Sequence, residues 1–293
     1  MGRKPRLARP EKSTEVKMKR IALPLIVPAI VLLVCGSTEG QTMKTEKGHF
    51  PLTRDLPEAA WQRLAQKKIY FGHQSVGNNI MDGVSRLMES NSNIKLKIVE
   101  TNDPAAFKEP VFAHSSVGKN DDPDSKIMAF RNYVDNGIGN KADIAFFKFC
   151  FWDIRNHVDI QGVFKRYRET LSELRNQYPK TRFIHVTVPL MHFSTGMRDR
   201  LKRTVGATVE NDLDNVKRNE LNKLVLEEYS GKEPVFDIAT IQSTLPDGGR
   251  TVASLGGKNY SYLASEYTDD GGHLNEKGRK VVAQQLIIFL SNL

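Results

Sequence analysis

The sequence predicts an α/β fold, a three-layer α/β/α sandwich built on a mostly parallel, five-stranded sheet. Two observations carry this. Short apolar runs suited to buried strands alternate about five times with segments of helical spacing, and such alternation builds βαβ units with helices on both faces of a parallel sheet. No internal repeat and no second-domain boundary interrupts the pattern after residue 56.

The elements follow in order. "KIYF" (68–71) is a short strand. "NNIMDGVSRLMES" carries apolar residues at 80, 84, 87 and 88, a helical spacing. "IKLKIVE" (94–100) alternates and reads as the second strand, and "DSKIMAFRNYVDN" (124–136) as a helix with Asp124 or Ser125 as N-cap. "ADIAFFKFCF" (142–151) is a continuous apolar run, suited to a central strand covered on both faces. An amphipathic helix (163–178), a buried strand "RFIHVTVPLM" (182–191), a helix (212–229) and a strand (234–240) follow. The C-terminal stretch is a helix with a wide apolar face, beginning near Asn275 or Glu276. Residues 241–268 are rich in Gly and Ser and form the longest segment without clear periodicity. A segment of that length inside a domain is usually functional or mobile.

The formal charge of +9 is unevenly placed. Residues 1–20 hold eight Lys/Arg against two Asp/Glu, which leaves +3 for the other 273 residues. That balance does not suggest a nucleic-acid surface. Residues 21–35, "IALPLIVPAIVLLVC", follow Lys19-Arg20 and read as an export signal, short for a membrane span. Met18 is a second plausible start. Cys35 ends the run in "LLVCGST", close to a lipoprotein cleavage site, so lipidation at Cys35 and ordinary cleavage nearby both stay open. The expected organisation is a cytoplasmic extension plus signal (1–35), a polar tether (36–55) and one domain (56–293). The expected location is outside the cytoplasm, with a membrane tether through the signal or a lipid. Cys150, the one other cysteine, lies in an apolar run and reads as a buried, inert thiol.

Two clusters carry chemistry. Ser75 stands just past the first strand in "FGHQSVGNN". Alone it is an ordinary turn residue, since a serine hydroxyl needs a base to become a nucleophile. Asp270 and His273 are three residues apart in "DDGGHLNEKG", with two glycines between. That short link lets a carboxylate hold one imidazole tautomer, although an acidic turn before a helix cap reads the same way. The order Ser, Asp, His, with the pair directly before the last helix, resembles the SGNH/GDSL hydrolase family over residues 67–293.

The resemblance implies a flavodoxin-like fold and a serine esterase. Ser75 would attack an ester carbonyl, His273 would act as base and then acid, and Asp270 would orient His273. The oxyanion would be met by the Ser75 N–H, by a Gly N–H from a second block, and by an Asn from a third. Gly118, in "HSSVGKNDDP", occupies the second position, where a simple turn glycine is the other reading. At the third, "CFWD" places Trp152 where Asn is expected, so Trp152 or Asn156 would have to serve as donor. Trp152 also reads as a substrate-facing aromatic. Here the first block is Gly72-His73-Gln74-Ser75, one residue longer than Gly-Asp-Ser. His73 would share a face with Ser75 and is expected at the substrate pocket. A metal reading would combine His73, Asp270 and His273, but no spacing such as H-E-x-x-H supports it, and neither metal nor cofactor is expected. His157 and His192 read as loop residues. The expected substrate is a small ester or an acylated carbohydrate, O-acetyl esters first. Acyl transfer to a sugar hydroxyl, and a non-catalytic carbohydrate-binding or envelope protein that kept the fold, stay open.

Overall fold

The computed structural model describes residues 41–44 and 50–293, so Cys35 and the expected signal lie outside the described residues. The described elements run β1 (Gln41–Lys44), α1 (Glu58–Ala65), β2 (Lys68–His73), α2 (Ser75–Ser90), β3 (Ile98–Glu100), β4 (Val111–Ser116), α3 (Pro123–Asp135) and β5 (Ile144–Phe147). They continue with α4 (Ile160–Gln177), β6 (Arg182–Val186), α5 (Met197–Thr204), α6 (Glu210–Tyr229), β7 (Val235–Phe236), α7 (Ile238–Ser243), β8 (Gly249–Leu255), β9 (Lys258–Ser261) and α8 (Glu276–Ser291).

The central sheet has six strands in the order β3-β4-β2-β5-β6-β7, every neighbouring pair parallel. One strand more than expected arises at "VFAHSS" (111–116), which the sequence reading left in a loop. Its residues 111–115 are all buried, and it pairs on both edges with β2 and β3. A strand covered on both faces carries no alternation to announce it.

Period-2 geometry sorts the sheet's side chains into two cores. Ile69, Phe71, Phe112, Ile144, Phe146 and Ile184 pack on one face with α1, α2, α7 and α8. Tyr70, Ala113, Ala145, Phe147 and Phe183 pack on the other with α3, α4 and α6. Both faces are apolar, which is why these strands read as continuous runs. Gly83 lets α2 approach α8 closely, since a Cβ there would stand 2.6 Å from the Arg279 carbonyl oxygen.

Residues 249–261, read as part of an aperiodic segment, form the antiparallel hairpin β8–β9, and β1 adds to its edge. Gly256 and Gly257 close the hairpin with φ of +55° and +77°. A two-residue turn with both φ positive matches strand twist and favours Gly-Gly. Part of the stretch expected to be a tether is therefore ordered: Gln41–Lys44 pairs with β8, and Gln285 donates to the Pro51 carbonyl at 2.8 Å.

The order of strands fixes where chemistry can gather. From β2 the chain goes to β3 at one edge and returns to β4 beside β2, then crosses to build outward through β5, β6 and β7 on the other side. In open α/β sheets the crevice at such a switch point, outside the strands' carboxyl ends, takes ligands. The segments leaving β2, β4 and β5 are those that hold Ser75, Gly118 and Trp152.

Candidate active site

Ser75 is the first residue of α2. Gln74 occupies the N-cap, yet its side chain makes no cap; its amide donates instead to the carbonyls of Val117 (3.0 Å) and Gly118 (2.9 Å). The first N–H groups of a helix have no intrahelical acceptors, and the helix dipole makes that end attractive to negative charge. The Ser75 N–H belongs to this set. Gly118 has φ +54°, and a Cβ there would lie 2.5 Å from the Lys126 backbone nitrogen. Only glycine suits that position. Gln74 thus ties the turn bearing Ser75 to the loop bearing Gly118.

The Asp270–His273 loop is built by hydrogen bonds. Asp270 Oδ2 lies 2.7 Å from His273 Nδ1, while Oδ1 accepts the N–H groups of Gly272 (2.9 Å) and His273 (2.8 Å). Partial burial would raise the Asp270 pKa, but the Gly272 N–H, then the His273 ring and N–H, outweigh it and bring it down to about 2. Asp270 is therefore ionised at any working pH and fixes a proton on Nδ1. Nε2 is left as the nitrogen that can accept one. Gly271 (φ +88°) makes the turn, and its carbonyl accepts the His192 N–H at 2.8 Å. Asn275 caps α8 by accepting the Gly278 N–H, one of the two starts the sequence allowed.

Two contacts bracket the space between Ser75 and His273. Asn79, one helical turn after Ser75, accepts the Leu274 N–H at 3.1 Å. Phe151 packs edge-on against the His273 ring with centroids 5.5 Å apart, and its neighbour Cys150 places Sγ 3.9 Å from Ser75 Oγ. No hydrogen bond joins Ser75 Oγ to His273. Catalytic hydrogen bonds of this kind often tighten only with substrate.

A buried polar layer underlies the site. Asp153 accepts the N–H groups of Cys150 (2.5 Å) and Asp121 (3.1 Å), and Lys126 Nζ stands 2.8 Å from its Oδ2. Asp153 thus fastens the segment after β5 to the loop after β4. Burial raises the Asp153 pKa, and the Lys126 charge opposes this. Lys148 is fully buried, and burial, with Lys126 nearby, pushes its pKa down to about 8 against the pull of Cys150 and Asp153. Arg218 of α6, also buried, donates from Nε to the Phe151 carbonyl at 2.9 Å and supports the same turn from behind.

The sequence reading did not single out Gln74, Asn79, Lys126, Lys148, Asp153 or Arg218 as site residues. A lysine inside the apolar run "AFFKFCFW" was the one available signal, since a charge in a buried strand must serve some purpose.

His73, expected at the substrate pocket, is corrected by the structure. It is buried at 1% exposure, with Nε2 3.0 Å from His114 Nδ1. Alternation places residue 73 beneath the sheet's end, while the chain turns at Gln74 before reaching Ser75, so the two do not share a strand face. Burial, then Lys148 and His114, lowers the His73 pKa to about 3. The Asn156 backbone N–H donates to Asp214 Oδ1 at 2.8 Å. Trp152 is 43% exposed, with the Arg155 guanidinium 5.3 Å from its ring centre. His192 is in a loop, as expected, and touches the Asp270–His273 loop through its backbone.

No family model matches this chain, and no curated protein does. Among solved structures, many matches are described as GDSL or SGNH proteins and carbohydrate esterases. An acetyl xylan esterase, AlAXEase, is similar at 12% identity, covering 74% of this chain and 96% of that one, with a TM-score of 0.40. A family 3 carbohydrate esterase from Talaromyces cellulolyticus is 15% identical, covering 77% and 98%, with a TM-score of 0.41. Another from Clostridium thermocellum is 13% identical, covering 77% and 98%, with a TM-score of 0.40.

Proposed function

We propose that this chain is a serine esterase that hydrolyses O-acyl esters, O-acetyl esters on carbohydrate first. The observation that carries the reading is the Asp270–His273 pair, 2.7 Å apart and held beside the start of α2 by Asn79. Ser75 Oγ would attack the ester carbonyl as His273 Nε2 takes its proton. The tetrahedral oxyanion would face the Ser75 N–H, with Gly118 as a second donor. His273 would then return the proton to the leaving alcohol, and water would release the acyl group by the same steps. The exposed indole of Trp152 offers a flat apolar face of the kind that sugars stack on. The run at 19–35 supports placing the enzyme outside the cytoplasm.

One observation favours a second reading. Trp152 stands where the resemblance implies an oxyanion Asn, and Ser75 Oγ is not bonded to His273, which suits a carbohydrate-binding protein that kept the fold. Turnover of p-nitrophenyl acetate by the wild type, Ser75→Ala and His273→Ala separates them. The esterase reading expects a loss of at least about 10³-fold in either variant; equal rates in all three sink it. Labelling of Ser75 by a serine-directed phosphonate would count against the binding-protein reading.

A further inference from the structure

We propose that α5 is an interfacial helix that docks the protein on an anionic lipid surface. The helix is inverted relative to an ordinary surface helix. None of its residues is buried, and Met197, Leu201 and, at its C-cap, Val205 are 88%, 64% and 70% exposed. At about 3.6 residues per turn these three fall within an arc of about 80°. The side turned to the protein is the polar one. Asp199 accepts from Ser194 Oγ at 2.6 Å, and Arg203 donates to both carboxylate oxygens of Asp212 (2.8 and 2.9 Å) and lies 3.9 Å over the Phe193 ring.

A surface helix normally hides its apolar stripe and shows its charges. Here the charges do the anchoring and the stripe is left outward, so its partner must be apolar. Charge defines that partner further. Arg198 and Lys202 border the stripe, while the acidic residue of the helix, Asp199, is on the back. An apolar strip bordered by cations matches the boundary between acyl chains and anionic headgroups, where long basic side chains reach up to phosphate. The segment that leads into α5 is tied to the Asp270–His273 loop, because the His192 N–H donates to Gly271 and Asn211 Nδ2 donates to the His192 carbonyl. The inference rests on the helix alone and stands whether or not Ser75 is catalytic.

The experiment uses the full chain, whose residues 21–35 can themselves enter lipid, so the readout must be local. A Cys35→Ser, Leu201→Cys chain is labelled with an environment-sensitive fluorophore; the remaining thiol, Cys150, is buried. On phosphatidylglycerol vesicles the emission should shift to the blue. Arg198→Gln and Lys202→Gln should each weaken the apparent affinity by about fivefold. A label at Met128→Cys, an exposed apolar site on α3 at 63% exposure, should not respond. Three results overturn the proposal. One is an unshifted label at 201 while the chain sediments with vesicles. Another is an equal shift on phosphatidylcholine that ignores the two cations. The third is a shift without vesicles that grows with protein concentration, which would assign the stripe to a second copy of the chain.

Discussion

Lys126 Nζ lies 2.8 Å from Asp153 Oδ2, and neither side chain reaches solvent. The pair joins the loop after β4 to the segment after β5, so it shapes two walls of the candidate site at once. Replacing one partner leaves the other buried and charged, which typically costs about 3–5 kcal/mol. Asp153→Asn should lower stability by that order in urea denaturation. It should also lower esterase turnover in the fraction that stays folded, because the Cys150 and Asp121 N–H groups lose a charged acceptor.

Lys148 makes the opposite case. It is buried with only the Phe149 carbonyl, at 3.4 Å, as a hydrogen-bond acceptor. Its folded pKa, about 8, is below the unfolded 10.5. Between those values the unfolded chain binds more protons, so stability rises with pH there, and the full cost of the charge is felt below pH 8. Lys148→Met should therefore stabilise the protein by about 1–4 kcal/mol at pH 7. The gain should shrink as pH climbs from 8 towards 10.5. Chemical denaturation at pH 7 and pH 10 measures both; a destabilised variant at pH 7 would overturn the assignment of a net cost.

These buried ions explain what the sequence could and could not tell. The alternation of strands and helices was legible because two apolar cores leave long apolar runs, and the Asp270–His273 contact was legible because a link of two glycines can bring a carboxylate onto an imidazole. The polar layer was not. Lys126 lies on a helix that reads as amphipathic, and only the fold brings it to Asp153. Gln74 was visible as the extra residue before Ser75, but its role depends on the Val117 and Gly118 carbonyls, 43 and 44 residues away. "VFAHSS" failed for a local reason, since a short strand buried on both faces lacks a period. His73 failed because strand alternation was carried through Gln74, where the chain turns into α2.

Gly118→Ala tests the second oxyanion donor. The new Cβ would meet the Lys126 backbone in a left-handed conformation that costs a non-glycine residue about 1–3 kcal/mol. If Gly118 supplies a donor, the shift of its N–H should also cost about 10²–10³ in kcat, with little change in KM. Gly206→Ala provides the control: φ is +71° there with no atom within 4 Å, so it should show the strain without the loss of turnover.

Trp152 allows a direct binding measurement. The chain has two tryptophans, and the other, Trp61, is buried at 4% exposure. Fluorescence changes on titration with acetylated oligosaccharides should therefore report Trp152 and vanish in Trp152→Phe. Trp152→Ala should raise KM for such oligosaccharides about tenfold, which corresponds to about 1.4 kcal/mol. Turnover of p-nitrophenyl acetate should hold, because that ester carries no sugar to stack on the indole. Stability should change by no more than about 0.5 kcal/mol, as for an exposed substitution.

Asp270→Asn separates orientation from mere presence of the imidazole. The amide keeps the shape of the carboxylate but can donate to His273 Nδ1, which turns the tautomer so that Nε2 carries the proton and no longer accepts one from Ser75. A loss of about 10⁴ in kcat is the expected size for that change. Stability should respond differently, and pH shows how. The folded Asp270 pKa of about 2 is below the unfolded 3.8, so its contribution is present above pH 3.8 and is lost as pH falls through about 2. The wild type and Asp270→Asn should therefore differ most in thermal midpoint near neutral pH and converge below pH 2. The side chain is more than half exposed, so solvent screening keeps the difference small. A variant that lost activity only in proportion to its loss of folded protein would mean that Asp270 shapes the loop and does not set the tautomer of His273.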